Sequence, residues 1–579
     1  MKQRLQQLRQ AIQQQRQRQL GRKKQGQRHE ELEESPQVIR QREAREMQTV
    51  QQDLELEELM YALSSWSYHS LQAGRRLPDS EVTDLLELSV SRYLMRCFEE
   101  IRSKEPITCL TEERSWGTLC RARELVSMIA VVALAARSPR QAVVIIEHGH
   151  SISIVQLTQY RIMLDKLHAS RPDLASELFD LNSRLQRVNT GAEGDTVKCT
   201  VWPDTVESHR DLSKRWNDVM AHIRKLPGFE AFLKPTPFET LQHAAAQGPV
   251  IIINVTQIGS QAIVILKSGE PAVIPLAKAT PDAIESWLGT PIRPTVRRPA
   301  LEGSPPSLNT KLQSIWTVIV APVVNYLERT LKLPHRSRTW WNPTTAVWSL
   351  PLHAAQTSVP NELSLPDRFV SSYTPSLSAL LRSDAPAVRA LGPELLLMTP
   401  TSACVRVTDL ITSRLPARVT VIGGEDSTKN AMLADLKDSA WVHLTNDSFW
   451  FAKDSFKSTI LLPSQDAEPL TFLDINRNDF PIGEMAFLCV GHSADGDEAS
   501  NLAAGMLLSG FRSVVGSMWE ISDEDRLVAA RAFYKYMLRN GPGAADYRDA
   551  AMALSMAAKE LRRKGVPFEQ WVNLVHYGM

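Results

Sequence analysis

Apolar positions follow two different rhythms along this chain, and the change between them falls near residue 246. Upstream, Leu85, Leu86, Leu88, Tyr93, Leu94 and Phe98 recur at offsets near three and four, the stripe of an amphipathic helix. The run from Leu125 to Ala136 is apolar but too short to span a bilayer, and is expected as a buried helix. Pro139 suits the first turn of a following helix running through Val143-Val144-Ile145-Ile146-Glu147. Downstream, Pro249 to Val255, Ala262 to Leu266 and Ala272 to Leu276 are short β-branched runs, expected to form a small hairpin-rich sheet. A Pro-rich linker from Pro291 to Pro306 precedes a helix over 310–331. Leu395 to Met398, Val419 to Ile422, Trp441 to Leu444 and Met485 to Val490 are continuous apolar strands separated by helical segments. Such runs suit parallel strands covered on both faces.

These rhythms divide the 579 residues into four stretches. Residues 1–50 form a Gln-rich basic tail, disordered or coiled, with no acidic residue before Glu30 and too few apolar residues to fold alone. Residues 51–245 form a helical region, 246–300 a small β-rich segment and linker, and 301–579 the α/β core. The helix pairs of 51–245 resemble the degenerate end of a tetratricopeptide (TPR) array, although the W-x-x-L-G-x-x-Y signature is absent.

Composition narrows the picture modestly. Net charge is +1, so the overall field selects no partner; only the tail, with Arg22-Lys23-Lys24, offers a nucleic-acid contact or import signal. The six cysteines lie far apart without ligand spacing, which implies reduced thiols and a cytoplasmic setting, with the nucleus as an alternative. No apolar core follows the basic start, so no signal peptide and no membrane association are expected. Glu147-His148-Gly149-His150 invites a metal reading, but two histidines and a carboxylate need further ligands, and no metal or other cofactor is expected. There is no phosphate loop and no G-x-S-x-G elbow.

A set of ordered blocks is more specific. Trp340-Trp341-Asn342-Pro343, Leu350-Pro351-Leu352-His353-Ala354-Ala355, Ser371-Ser372-Tyr373-Thr374-Pro375-Ser376-Leu377, Ala486-Phe487-Leu488-Cys489-Val490-Gly491, Leu502-Ala503-Ala504-Gly505-Met506 and Gly510-Phe511-Arg512-Ser513 occur in that order, before a terminal Trp571-Val572-Asn573-Leu574-Val575-His576-Tyr577-Gly578. Together they resemble the CHAT domain, a caspase-like cysteine peptidase family often fused behind TPR repeats, in its fungal form. The resemblance implies an α/β fold: a caspase-like three-layer α/β C-terminal domain preceded by an all-α, TPR-like region.

The same resemblance exposes what is missing. The family nucleophile follows A-F-L-S-A, and that position here is Gly491. The family general base is the second histidine of H-x-x-C-H-G, and that position here is Asp447, with His443 matching the first histidine. Cysteine peptidases need a thiolate beside an imidazole that activates it and then protonates the leaving amine. Neither glycine nor aspartate supplies these groups, so the expectation is a pseudoprotease that binds a peptide or protein or acts as a scaffold. The alternative is an active endopeptidase using a displaced Cys489/His443 pair, since steps of two and four residues keep both side chains on one strand face. After the site, the family's acidic loop is shortened to Gly496-Asp497-Glu498-Ala499-Ser500-Asn501; Asp497 and Glu498, with Asp495, would suit a basic peptide by charge pairing. His492 beside the vacant position reads as a loop residue. A third class, a nucleic-acid-associated factor, would act through the basic tail and bind in a salt-dependent way.

Overall fold

In the computed structural model the described residues are 126–135, 137–150, 166–190, 209–230, 234–288, 308–383, 395–398, 419–422, 428–446, 449–450, 459–460, 468–471, 480–490, 499–518 and 521–579, with 124, 164, 232, 409, 411–413, 474–475 and 478. Apart from 185–190, these belong to one compact unit. The basic tail, the amphipathic stripe at 85–98 and the Pro-rich linker lie outside them.

The described N-terminal part is helical. Residues 126–135 are helical with Val126 to Ala133 buried. Helices α1 (Pro139–His150), α2 (Pro172–Thr190) and α3 (His209–Ile223) follow. Pro139 stands at the first position of α1, where its missing N–H costs nothing. Among the described residues no helix is long and apolar enough to cross a membrane.

The three β-branched runs fold as strands β1 (Val250–Thr256), β2 (Gly259–Ile265) and β3 (Ala272–Pro275). They do not make a sheet of their own. β1 pairs in parallel with β4 (Arg338–Pro343), Val250 opposite Trp340, so the hairpins extend the main sheet. Its order is β3-β2-β1-β4-β5-β14-β13-β12-β8-β6-β7. The remaining strands are β5 (Val370–Tyr373), β6 (Leu395–Met398), β7 (Val419–Ile422), β8 (Trp441–Asn446), β12 (Met485–Val490), β13 (Ser513–Ser517) and β14 (Leu574–Gly578). Short strands β9 (Phe449–Trp450), β10 (Thr459–Ile460) and β11 (Leu470–Thr471) form a separate three-stranded sheet.

Beyond the antiparallel hairpins β1–β2–β3, the main sheet has two parallel halves that meet at an antiparallel seam. β1, β4, β5 and β14 run one way, and β13, β12, β8, β6 and β7 run the other, with β13 and β14 joined antiparallel. The apolar runs at 395–398, 419–422, 441–444 and 485–490 are the parallel half, as their lack of polar alternation predicts.

Helices cover both faces. On one, Trp341, Tyr373, Tyr577, Val514, Leu488 and Leu444 join a single core with the helical run 308–330 and with α7 (Ala499–Leu508), residues that are nearly all inaccessible to water. Preceding α7 in the chain are α4 (308–330), α5 (Leu377–Ser383) and α6 (Lys429–Asp438). The other face carries α8 (Asp523–Met537) and α9 (Ala550–Arg563), packed side by side. There Phe487 meets Phe533 edge-on at 4.9 Å between ring centres. The result is the three-layer α/β arrangement expected from the sequence.

Candidate functional site

β8 and β12 are neighbours in register from Met485 opposite Trp441 to Val490 opposite Asn446. Both strands therefore end level at the carboxyl edge of the parallel half, the edge at which open α/β sheets place their sites. The family positions Asp447 and Gly491 are the next residues of these two strands. They, and His492, Asp495, Asp497 and Glu498, lie outside the described residues.

The pairing also fixes the relation of the two fallback residues. His443 stands opposite Phe487, whereas Cys489 stands opposite Thr445, so the two positions are offset by two residues along the paired strands. The His443 imidazole stacks on the Phe487 ring, centroids 4.8 Å apart and planes 9° apart. Its Nδ1 lies 2.8 Å from the Tyr534 hydroxyl of α8, and its Nε2 has no hydrogen-bond partner among the described residues. Burial, reinforced by the nearby Arg526 guanidinium, pushes the imidazole down to about 3. A neutral ring clamped between two aromatics and a hydroxyl is poorly placed to carry a proton at neutral pH.

Elsewhere the motif residues take structural work that the sequence did not disclose. His353 donates from Nε2 to the Val572 carbonyl at 2.8 Å, leaving Nδ1 to accept from the Tyr373 hydroxyl at 3.0 Å. Burial lowers it to about 4. His576 lies between two hydroxyls, Nδ1 at 2.9 Å from Ser372 Oγ and Nε2 at 2.8 Å from Ser513 Oγ. Arg338 donates to the same Ser372 oxygen at 2.8 Å, so one polar ladder crosses β4, β5, β14 and β13 through the middle of the sheet. Burial and the Arg338 charge hold His576 well below the usual histidine range. The blocks around His353 and His576 are thus load paths of the fold at the antiparallel seam.

Glu147-His148-Gly149 is likewise accounted for residue by residue. The Glu147 carboxylate accepts the backbone N–H groups of Leu377 (2.8 Å) and Ser378 (2.9 Å), the first turn of α5. It is an N-terminal cap supplied from 230 residues away, satisfying donors that a helix cannot satisfy itself. His148 is buried and lowered to about 4, chiefly by that burial. A Cβ on Gly149 would overlap the Val126 side chain, so the helix 126–135 and α1 approach at the glycine. Both Glu147 oxygens are occupied by α5, and among the described residues no group of histidine, cysteine and carboxylate side chains is arranged to hold a metal. Replacing Glu147 by Ala would leave two N–H groups, one buried and one partly buried, without an acceptor. The expected loss is about 3 kcal/mol, read as a lower urea midpoint with an unchanged slope.

Comparison with known proteins agrees with the sequence blocks. The CHAT domain family model matches residues 309–578. Among solved structures, the chain is similar to separase of the Saccharomyces cerevisiae separase–securin complex, with a TM-score of 0.41 and 11% identity over 88% of this chain. The chain spans 42% of the length of that separase chain. It is also similar to the Arg-specific cysteine proteinase gingipain R, with a TM-score of 0.31 and 6% identity, covering 47% of this chain and 69% of that one. No curated protein sequence matches. The ordered motifs, the sheet whose parallel half ends level at β8 and β12, and the family match fall on the same part of the chain: residues 309–578 are similar to the CHAT domain.

Proposed function

We propose that this CHAT-like domain is a pseudoprotease, a binding or scaffolding module that has kept the peptidase framework without its dyad. The observation that carries the reading is the pair of substitutions at the ends of adjacent strands. Gly491 follows β12 and Asp447 follows β8, so the two family positions leave the same sheet edge bearing neither thiol nor imidazole. The environment of His443 supports the same reading, since a stacked, buried imidazole lowered to about 3 is a weak substitute base. The partner in this reading is a protein or peptide. The carboxylates Asp497 and Glu498, which follow the Gly491 position in sequence, favour a basic segment.

The test is covalent labelling. Full-length protein is incubated with peptidyl electrophiles carrying Lys or Arg at the first position, and intact mass is compared with a Cys489→Ala control. The expected result is no selective adduct on folded protein. A selective adduct that disappears in Cys489→Ala would mean an active cysteine peptidase with a displaced nucleophile.

A further inference from the structure

A second feature of the same domain lies away from the β8 and β12 strand ends. A half-open pocket runs between α9 and the amino ends of β5 and β14. Its floor is apolar, with Ala354, Phe369, Leu554 and Trp571 among the lining side chains. Its rim on the α9 side is cationic, formed by Lys559 and Arg562. Arg562 is 2.8 Å from Asp367 and stacks 4.9 Å above the Trp571 ring, so one cation is neutralised and held in place. Lys559 has no hydrogen bond or ion pair among the described residues; partial burial and the charges of Arg336 and Arg562 lower it, with Asp367 acting in the opposite sense. The Arg336 guanidinium, which does not line the pocket, donates to the Met552 sulfur at 2.8 Å. Three cations thus lie near one carboxylate, and Met556, one turn before Lys559, leaves 39% of its surface in water.

From this arrangement we propose that the α9 groove docks a segment of a partner protein in which acidic residues flank one apolar side chain. The apolar side chain enters the Ala354–Phe369–Leu554–Trp571 floor, and the carboxylates pair with Lys559 at the rim. Charge complementarity selects this occupant: a basic segment would add to an uncompensated positive field, and a purely apolar one would leave Lys559 unpaired. The groove therefore has the polarity opposite to that of the shortened acidic loop. It does not depend on whether the β8 and β12 ends carry catalysis.

The experiment is fluorescence anisotropy on the full chain with a fluorescein-labelled Glu-Glu-Leu-Glu-Glu peptide as probe. Saturable binding is expected, weakened about tenfold or more when the central Leu of the probe is Ser, and again when its glutamates are lysines. Two variants address the groove separately. Lys559→Glu reverses a charge that has no hydrogen bond or ion pair among the described residues, and Ala558→Trp fills the floor while leaving every charge in place. Each is expected to weaken binding about tenfold or more with an unchanged melting temperature. No binding up to about 1 mM, equal binding of the lysine probe, or binding untouched by both variants would overturn the proposal. A dimer of the unliganded protein that Lys559→Glu dissolves would place a second copy in the groove, and would overturn it too.

Discussion

On acidification from pH 7 to pH 5 the buried histidines of this protein are expected to remove on the order of 8 kcal/mol of folding free energy, before a smaller opposing contribution from Glu147. Four histidines are responsible. His148 and His353 are lowered to about 4, His443 to about 3, and His576 well below its ordinary value, each with burial as the first cause. The sign follows from where the protons go. In the unfolded chain all four bind a proton as pH falls through about 6.5, while the folded chain refuses it. Stability is therefore full above that value and is lost progressively toward pH 4. At pH 5 each unfolded imidazole has gained about 2 kcal/mol of protonation free energy. Glu147 works in the opposite sense, because burial raises its carboxyl and the fold retains that proton more readily than the unfolded chain. One carboxyl offsets only part of four imidazoles. Urea titrations at pH 7.5, 6.5, 5.5 and 5.0, expressed in the usual buffers, check the slope; a midpoint that does not move would exclude neutral burial. His443→Phe provides an internal control. It keeps the stack on Phe487 and removes one titrating ring, so about 2 kcal/mol of the acid loss should vanish, with little change at pH 7.5.

Much of this fold could be read from the chain because its strands are written locally. Four consecutive apolar residues at Leu395 to Met398, or six at Met485 to Val490, can be buried on both faces only in a covered parallel sheet. The ends of β8 and β12 were legible for the same reason, but not that they stand level, which comes from their pairing. Sheet order was not, because it depends on pairings between distant segments. Tyr577 beside Tyr373 and Val515 beside His576 place the last strand at the centre of the sheet, which no local pattern encodes. The hairpin strands at 250–275 showed their type but not their partner, which is β4 across the Pro-rich linker. Side-chain roles failed in the same manner. His443 could be placed on a strand face, but its clamp requires Phe487 and a tyrosine 91 residues further on. The capping role of Glu147 was not legible because its partners are backbone N–H groups, which carry no sequence signature at all.

Gly578→Ala is expected to cost about 4 kcal/mol or more, lowering the melting temperature by roughly 10 °C for a domain of this size. The reason is local and severe. Gly578 has a φ of 83°, a conformation that residues with a Cβ rarely adopt. An added Cβ would also overlap the carbonyl oxygen of Arg512 on the neighbouring chain segment, and would press on Leu507 of α7. Neither obstacle yields cheaply. The Arg512 carbonyl is fixed by the Met579 N–H at 2.9 Å, and the Gly578 carbonyl accepts the Trp340 indole N–H at 2.8 Å. Displacing the backbone here would pull at β13 and β4 together, since β14 pairs with one and is tied by Trp340 to the other. Strain of this kind and overpacking each run to roughly 1–3 kcal/mol, and at this position both are paid. The ladder from Arg338 through Ser372 and His576 to Ser513 crosses the same four strands, so its loss should accompany the mutation. Differential scanning of Gly578→Ala beside Gly541→Ala separates the causes. Gly541 has a similar φ of 89° but nothing within 4 Å of its Cβ position, so it carries the backbone strain alone. A loss at Gly578 no larger than that at Gly541 would show that the strand edge at Arg512 relaxes, and that β14 is held at the centre of the sheet less firmly than its contacts imply.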